Sequence, residues 1–461
     1  MSKLTDLKEI IDYKLRNIEL SEGARQSLLE EASRKHKFTI PAIAFTSSLC
    51  IGFTILLTIY FFPFDTVTNS SYQRVYAFQP SDPKKVELDS AITRDINNFG
   101  FNLLKQLNKK NGTESKNMVI SPVSLSVALA ILGNGANGQT RAEINKLINA
   151  NNLTPEEFSK NYHNLISAYY NVRNDQIQIN NSLWIDKKYK FKEEFLKYSN
   201  TFFDSDVFNI DFNSSKAEKS INNWVNEKTH NLIKDPVNNI DSETTMLIVN
   251  SLYFNGKWLS EFSKENTKKE NFTLRNGNKV MVDMMNDDTY EYYFENEQIK
   301  SVTLPYCGTS AMVFILPKID LDQYLASINS DTLTTIAENS KKYMTTMKVP
   351  KFNLVTSQSM NEDLSALGMH TAFNKEKADF SNLLQTNSKS LFLTELKQDC
   401  SINLDEKGTV AAAVTIIYGG MSSKPENEIK EFYLDRPFLF AIIDRSTKSV
   451  LFTGKVVNPQ K

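Results

Sequence analysis

The chain has 461 residues, 41% hydrophobic and 11% aromatic, with a formal net charge of -1. That apolar content suffices for one large mixed domain plus a terminal appendage, while so even a charge creates no field for nucleic acid, which is excluded as a partner. Three cysteines, Cys50, Cys307 and Cys400, stand far apart without zinc or redox spacing, so neither a disulfide framework, a metal site nor a cofactor is indicated.

Residues 1–37 read as a polar cytoplasmic tail in which Leu7, Ile10, Ile11, Leu15 and Ile18 recur at helical spacing. Residues 38–64 carry no charge, and 40–62 as a helix would span on the order of 35 Å, the thickness of a bilayer's hydrocarbon. A polar tail ahead of the apolar run argues for an uncleaved signal-anchor rather than a cleaved signal peptide. Arg34, Lys35 and Lys37 precede the run and Asp65 is the first charge beyond it, which predicts a single-pass type II protein with the remainder extracellular or lumenal. Residues 65–88, with Asn69, Ser70, Ser71, Pro80, Ser81 and Pro83, have linker composition, leaving 89–461 as the folded domain. Six Asn-x-Ser/Thr sequons, at Asn69, Asn111, Asn152, Asn180, Asn213 and Asn271, permit glycosylation of an exported domain.

Within the folded part, residues 90–170 are predicted mainly helical. Ser121-Pro122 and Thr154-Pro155 each supply a cap and a first-turn proline. Strand signals follow at 247–254, 301–306, 312–316, 345–349, 438–443 and 450–457, with helical residues 360–367 among them. Helices first and many strands later predict an α+β fold with large antiparallel sheets. His36, His163, His230 and His370 are scattered, and no H-E-x-x-H, G-x-S-x-G or phosphate-binding loop occurs, so nothing points to an enzyme. Lys187, Lys188 and Lys190, and Lys268 with Lys269, are short basic clusters of the kind that usually form solvated faces.

From Gly408 to Ser423 the chain has neither charge nor proline and ends in the glycines Gly419 and Gly420. Such a run has the composition of a strand able to pair with a free sheet edge. On residues alone it is either a buried edge strand or a mobile loop that can enter a sheet.

Several segments in order resemble the serpin family, over nearly everything from Ala91 to the C-terminus. They include Asn117, Met118, Val119, Ile120, Ser121 and Pro122, continuing through Ser124, Ala128, Gly135, Gly138 and Thr140. Others are Asn250, Ser251, Leu252, Tyr253 and Phe254 leading to Trp258; Leu304-Pro305-Tyr306; Val349-Pro350-Lys351-Phe352; and Ala378-Asp379-Phe380-Ser381. Leu434-Asp435-Arg436-Pro437-Phe438 and the closing run through Gly454 and Pro459 are similar to the family's C-terminal signature. The resemblance implies three β-sheets, about eight to nine helices and an exposed reactive-centre loop.

It also implies a function: a monomeric inhibitor of serine or cysteine proteases, consumed as a suicide substrate through loop cleavage, acyl-enzyme trapping and loop insertion. The alternative is a non-inhibitory member acting as a binding or chaperone module. Resemblance makes Glu406, Lys407, Gly408, Thr409, Val410, Ala411, Ala412 and Ala413 the loop's hinge. Counting on from Gly408 by the family interval puts the scissile bond at Ser422-Ser423, with Met421 adjacent. Strand alternation would turn Thr409, Ala411, Ala413 and Thr415 inward on insertion, and Val410, Ala412, Val414 and Ile416 outward. Two residues depart from the family: Val410 stands where glutamate is usual, and Gln398 where many members have histidine. An amide still donates and accepts hydrogen bonds, so altered sheet opening rather than loss of function is expected.

Overall fold

Local sequence sets the helix starts. In α1 (Ser90–Lys110) a buried stripe of Ile96, Phe99, Leu103, Leu104 and Leu107 recurs at helical spacing. After β1 (Met118–Ile120), the Ser121 hydroxyl accepts from the Ser124 N–H at 3.3 Å, and Pro122 fills the first turn of α2 (Pro122–Gly135). Apolar around nearly its whole circumference, α2 is buried along nearly its whole length. Next come α3 (Gly138–Leu147) and α4 (Pro155–Tyr169), the latter opened by reciprocal Thr154–Glu157 hydrogen bonds of 2.9 and 3.2 Å.

The structure is a computed structural model that describes residues 80, 88–110, 116–150, 153–169, 175–385, 391–409 and 426–460. The expected tail, membrane helix and almost all of the linker lie outside the described residues. Among those that are described, no helix is long and apolar enough to cross a membrane.

Five elements follow α4: β2 (Asp175–Asp186), α5 (Glu193–Phe203), β3 (Asp206–Ile210), α6 (Ala217–Lys228) and β4 (Met246–Lys257). Then come β5 (Lys268–Thr273), β6 (Lys279–Glu295), β7 (Ile299–Pro305), β8 (Ser310–Pro317), α7 (Leu321–Ser327) and α8 (Ser330–Asn339). The chain continues through β9 (Lys341–Pro350), β10 (Phe352–Ser359), α9 (Asn361–Ala366), β11 (Glu395–Asp405) and β12 (Gly408–Thr409). It closes with β13 (Glu426–Tyr433), β14 (Phe438–Asp444) and β15 (Val450–Val456), so nine α-helices lie among the described residues.

Hydrogen bonding joins the described strands into two sheets where three were expected. One has nine strands in the order β1-β15-β14-β8-β7-β6-β9-β13, with β5 added on β6. The 17-residue strand β6 causes the merger: its start pairs β5, its middle β9 and its end β7, so one continuous strand serves two regions.

The second sheet has the order β10-β11-β12-β4-β2-β3. Helix α2 packs on one face of it, against β2 and β4, and α6 packs on the other. On the α6 side a separate apolar cluster gathers Trp184, Phe208, Ile221, Trp224, Leu247 and Val249. Burying Trp224 demands a partner for its indole N–H, and Nε1 donates to Asp206 Oδ2 at 2.9 Å. The β4-β2-β3 part of the six-stranded sheet is therefore covered on both sides.

Candidate functional site

The centre of the six-stranded sheet is a seam between β4 and β11. These strands run parallel and pair directly over six residue pairs, from Glu395 with Leu247 to Cys400 with Leu252. Above the seam β12 sits between them, antiparallel to both: Thr409 lies opposite Leu404 and Gly256, and Gly408 opposite Asp405 and Lys257.

Gly408 is there because no other residue fits. Its φ is +144°, and a Cβ would lie 2.2 Å from the Gly256 carbonyl oxygen, which no small adjustment relieves. Thr409 is fully buried, and its hydroxyl meets the Tyr306 hydroxyl at 2.7 Å. The Tyr306 ring stacks on Trp258 at 4.4 Å and 6°. Trp258 in turn donates from Nε1 to the Asp405 carbonyl at 3.0 Å and from its backbone N–H to the Lys407 carbonyl at 2.9 Å. The bend before β12 is thus clamped to the aromatic end of β4.

Glu406 anchors the same bend. It is 5% exposed, pairs with Lys351 at 2.8 Å, and accepts from the Thr267 hydroxyl at 2.8 Å. Burial pushes its carboxyl up, but the hydrogen bonds from Lys351 and Thr267 outweigh burial and hold it below the usual carboxylate range. Lys407 turns the chain, its N–H donating to Asp405 Oδ1 at 2.8 Å. Val410, Ala411, Ala412, Ala413, Met421, Ser422 and Ser423 lie outside the described residues.

Deeper in the sheet a polar latch crosses the seam on its α2 side. Gln398 of β11 donates from Nε2 to Asn250 Oδ1 at 2.8 Å and to the Ser121 carbonyl at 3.0 Å, and accepts from the Ser121 N–H at 3.1 Å. Asn250 of β4 donates to Ser124 Oγ at 2.6 Å and to Asn181 Oδ1 of β2 at 2.7 Å. One buried network therefore ties three strands to the start of α2. Asn250, Ser121 and Ser124 carried no functional signal in the sequence beyond their place in family-like segments.

On the α6 side the next pair across the seam is Asp399 and Ser251. Asp399 is fully buried, and neither of its oxygens, nor the Ser251 hydroxyl, has a hydrogen bond of normal geometry. Burial raises the carboxyl to about 6, with the nearby Ser357 hydroxyl and Lys397 offsetting only part of the cost. One face of the seam is locked by satisfied polar groups while the other stores an unsatisfied one.

The other candidate groups do not converge. His163 Nδ1 lies 3.2 Å from the Thr201 carbonyl, His230 rests on the Tyr253 ring at 4.4 Å, and the His370 N–H donates to Glu143. In the basic clusters Lys187 pairs with Asp211 and Lys269 with Asp283. Neither lysine presents an uncompensated charge.

A family model described as Serpin (serine protease inhibitor) matches residues 94–459. Among curated proteins, an uncharacterised serpin-like protein of Thermococcus kodakarensis is 30% identical over 82% of this chain and 88% of its own length. A serine protease inhibitor of Mus musculus is 32% identical over 83% and 92% respectively. Among solved structures, the thermophilic serpin tengpin in its native state superposes with a TM-score of 0.75 at 29% identity, covering 85% of this chain and all of that one. A thyroxine-binding globulin complex with thyroxine gives 0.72 at 30%, covering 80% and 99%.

Two substitutions test the seam. Gln398→Leu strands the buried partners of the latch and should cost about 2–3 kcal/mol in chemical denaturation; an undiminished stability would show the latch idle. Asp399→Asn should act with pH. A carboxyl raised in the folded state contributes stability below its ordinary pKa and loses it as pH rises through about 6. The amide should therefore stabilise by about 2–3 kcal/mol at pH 8 and change little at pH 4, and a gain equal at both pH values would refute the account.

Proposed function

The chain belongs to the serpin family, whose members are generally protease inhibitors rather than enzymes, and we propose that it inhibits a serine or cysteine protease as a suicide substrate. The observation that carries this reading is β12, a strand already seated between two strands that pair directly below it.

Its register makes the next steps specific. Each further loop residue would move one residue down β11 and one down β4, bringing Val414 between Asp399 and Ser251, Thr415 between Gln398 and Asn250, and Tyr418 between Glu395 and Leu247. Those are the very pairs now joined across the seam. Neither flanking strand has to slide, so the loop can enter by parting the seam alone. Parting replaces one parallel ladder by two antiparallel ones, a gain on the order of 10 kcal/mol at about 1 kcal/mol per net hydrogen bond.

The chemistry belongs to the protease. Its nucleophile attacks the Ser422 carbonyl carbon, the peptide bond to Ser423 breaks, and Ser423 leaves as a new amino terminus while Ser422 stays esterified to the enzyme. The freed hinge then inserts and drags the acyl-enzyme from its catalytic geometry before water completes the cycle. Met421, Ser422 and Tyr418 suit an elastase-, chymotrypsin- or subtilisin-like enzyme or a cysteine protease, and Pro425 guards Lys424 from trypsin-like ones. The charge-free residues 38–64 would hold the domain at a membrane as a type II anchor. A second reading, a binding module, is supported by the likeness to thyroxine-binding globulin.

Full-length protein in mild detergent, mixed with elastase-, chymotrypsin-, subtilisin- and papain-like proteases, should give a denaturant-resistant covalent complex with at least one. Loop cleavage alone, without a rise in melting temperature, would leave the binding module as the function. Thr409→Arg should turn inhibition into plain cleavage, because a charge would replace a fully buried hydroxyl; continued inhibition would sink the hinge. Alkaline extraction of membranes should leave the chain in the pellet, and its release would refute the anchor.

A further inference from the structure

The solvent face of an antiparallel sheet is normally polar, yet beside the loop's exit strand this one is not. Among the described residues seven large hydrophobic side chains are notably exposed, and three of them cluster: Tyr290 at 42%, Tyr292 at 40% and Ile429 at 66%. Tyr290 of β6 lies opposite Met344 of β9, and Met344 lies opposite Ile429 of β13. The three strands thus place them in one line about 10 Å wide, with Tyr292 two residues along on the same side.

Strand alternation does not force this exposure. The intervening residues Glu291 and Tyr293 turn inward and are buried, and the Lys430 ammonium lies over the Tyr343 and Tyr293 rings on that other face. Lys342, opposite Tyr292 on the same face, borders one end of the strip, and Asp288 and Glu431 the other, so an apolar centre is rimmed by both signs of charge, the anatomy of a small recognition patch.

We propose that Tyr290, Tyr292 and Ile429 form a second docking surface for the protease that attacks the loop, receiving an apolar segment from the rim of its cleft. The inference rests on the inhibitor reading and deepens it. Chain length selects the occupant: Ile429 is six residues beyond Ser423, at most about 20 Å away even fully extended. A protease domain of roughly 230 residues has a radius of gyration of about 17 Å. Any such enzyme holding Ser422 in its cleft must extend over β13. Size argues against a second copy of this chain, because the strip offers roughly 250 Å² where a stable complex buries about 800 Å² per partner. A patch that small adds to a contact made elsewhere, and Tyr is among the residue types enriched where such contacts carry most energy.

The test is the full-length triple variant Tyr290→Ser, Tyr292→Ser, Ile429→Ser, alongside a milder Tyr290→Thr, Ile429→Thr variant that keeps strand-favouring residues should the first fold poorly. With a protease that forms the covalent complex, the association rate constant should fall about tenfold in the triple variant and less in the double. The number of inhibitor molecules consumed per enzyme should stay constant, since insertion is untouched. Unchanged rate constants in variants that still form complexes would overturn the inference alone. No complex from the wild type with any protease would instead sink the inhibitor reading and take this inference with it. Sedimentation showing a wild-type dimer that the variants abolish would assign the strip to a second copy and likewise overturn it.

Discussion

The direct pairing of β4 with β11 is the constraint on which the rest of this structure depends. Two parallel strands that flank the antiparallel β12 at one end pair with each other below it, over six pairs. The seam is a regular parallel ladder, but half of the pairing that an inserted strand would make is forgone. The polar latch of Gln398, Asn250, Ser121 and Ser124 matters because it holds closed a seam that hydrogen-bond count alone would favour opening. Asp399 works against the closed seam, since a buried carboxyl without a hydrogen-bond partner destabilises it.

The contacts of Glu406 and of β12 fix the chain just ahead of the proposed loop. Lys351 and Thr267 hold Glu406 in place, and the backbone bonds from Trp258 and Phe262 to the carbonyls of Lys407 and Glu406 pin the bend. In the proposed insertion, movement would begin at Gly408, whose positive φ lets the chain reverse into the sheet against the Gly256 carbonyl. Glu406 and Lys407, grouped with the hinge in sequence, are both held by these contacts.

Much of this was legible in sequence because it is local. Ser121-Pro122 and Thr154 with Glu157 announce helix starts through caps a few residues long, and the β-branched runs near 247–254 and 438–443 are strands that need no partner to be recognised. What sequence did not show is long-range. Gln398 meets Ser121 across 277 residues, and nothing in either neighbourhood marks the other. Strand β2 carries Asn180, Asn181 and Ser182 in a row, which breaks its alternation, because Asn181 is buried and accepts from the Asn250 amide. Likewise the acidic stretch of β6 around Asp287 and Asp288 masks a strand long enough to weld two expected sheets into one.

The apolar outer face of the loop, odd if it ends in water, makes sense against α6. In the register of β12, Val414, Ile416 and Tyr418 would emerge on the same face as Leu247 and Val249, which already pack into the cluster with Trp184 and Trp224. Val410 and Ala412 belong to the same face, higher up. An inserted strand with those residues would extend the α6 core rather than expose new apolar surface, at about 25 cal/mol per Å² removed from water. The buried Trp224–Asp206 bond ties α6 to β3, so in the proposed insertion the helix would stay seated while the seam to its side parts. A glutamate at position 410 would suit a loop whose outer face stays wet; valine suits one whose outer face is to be roofed.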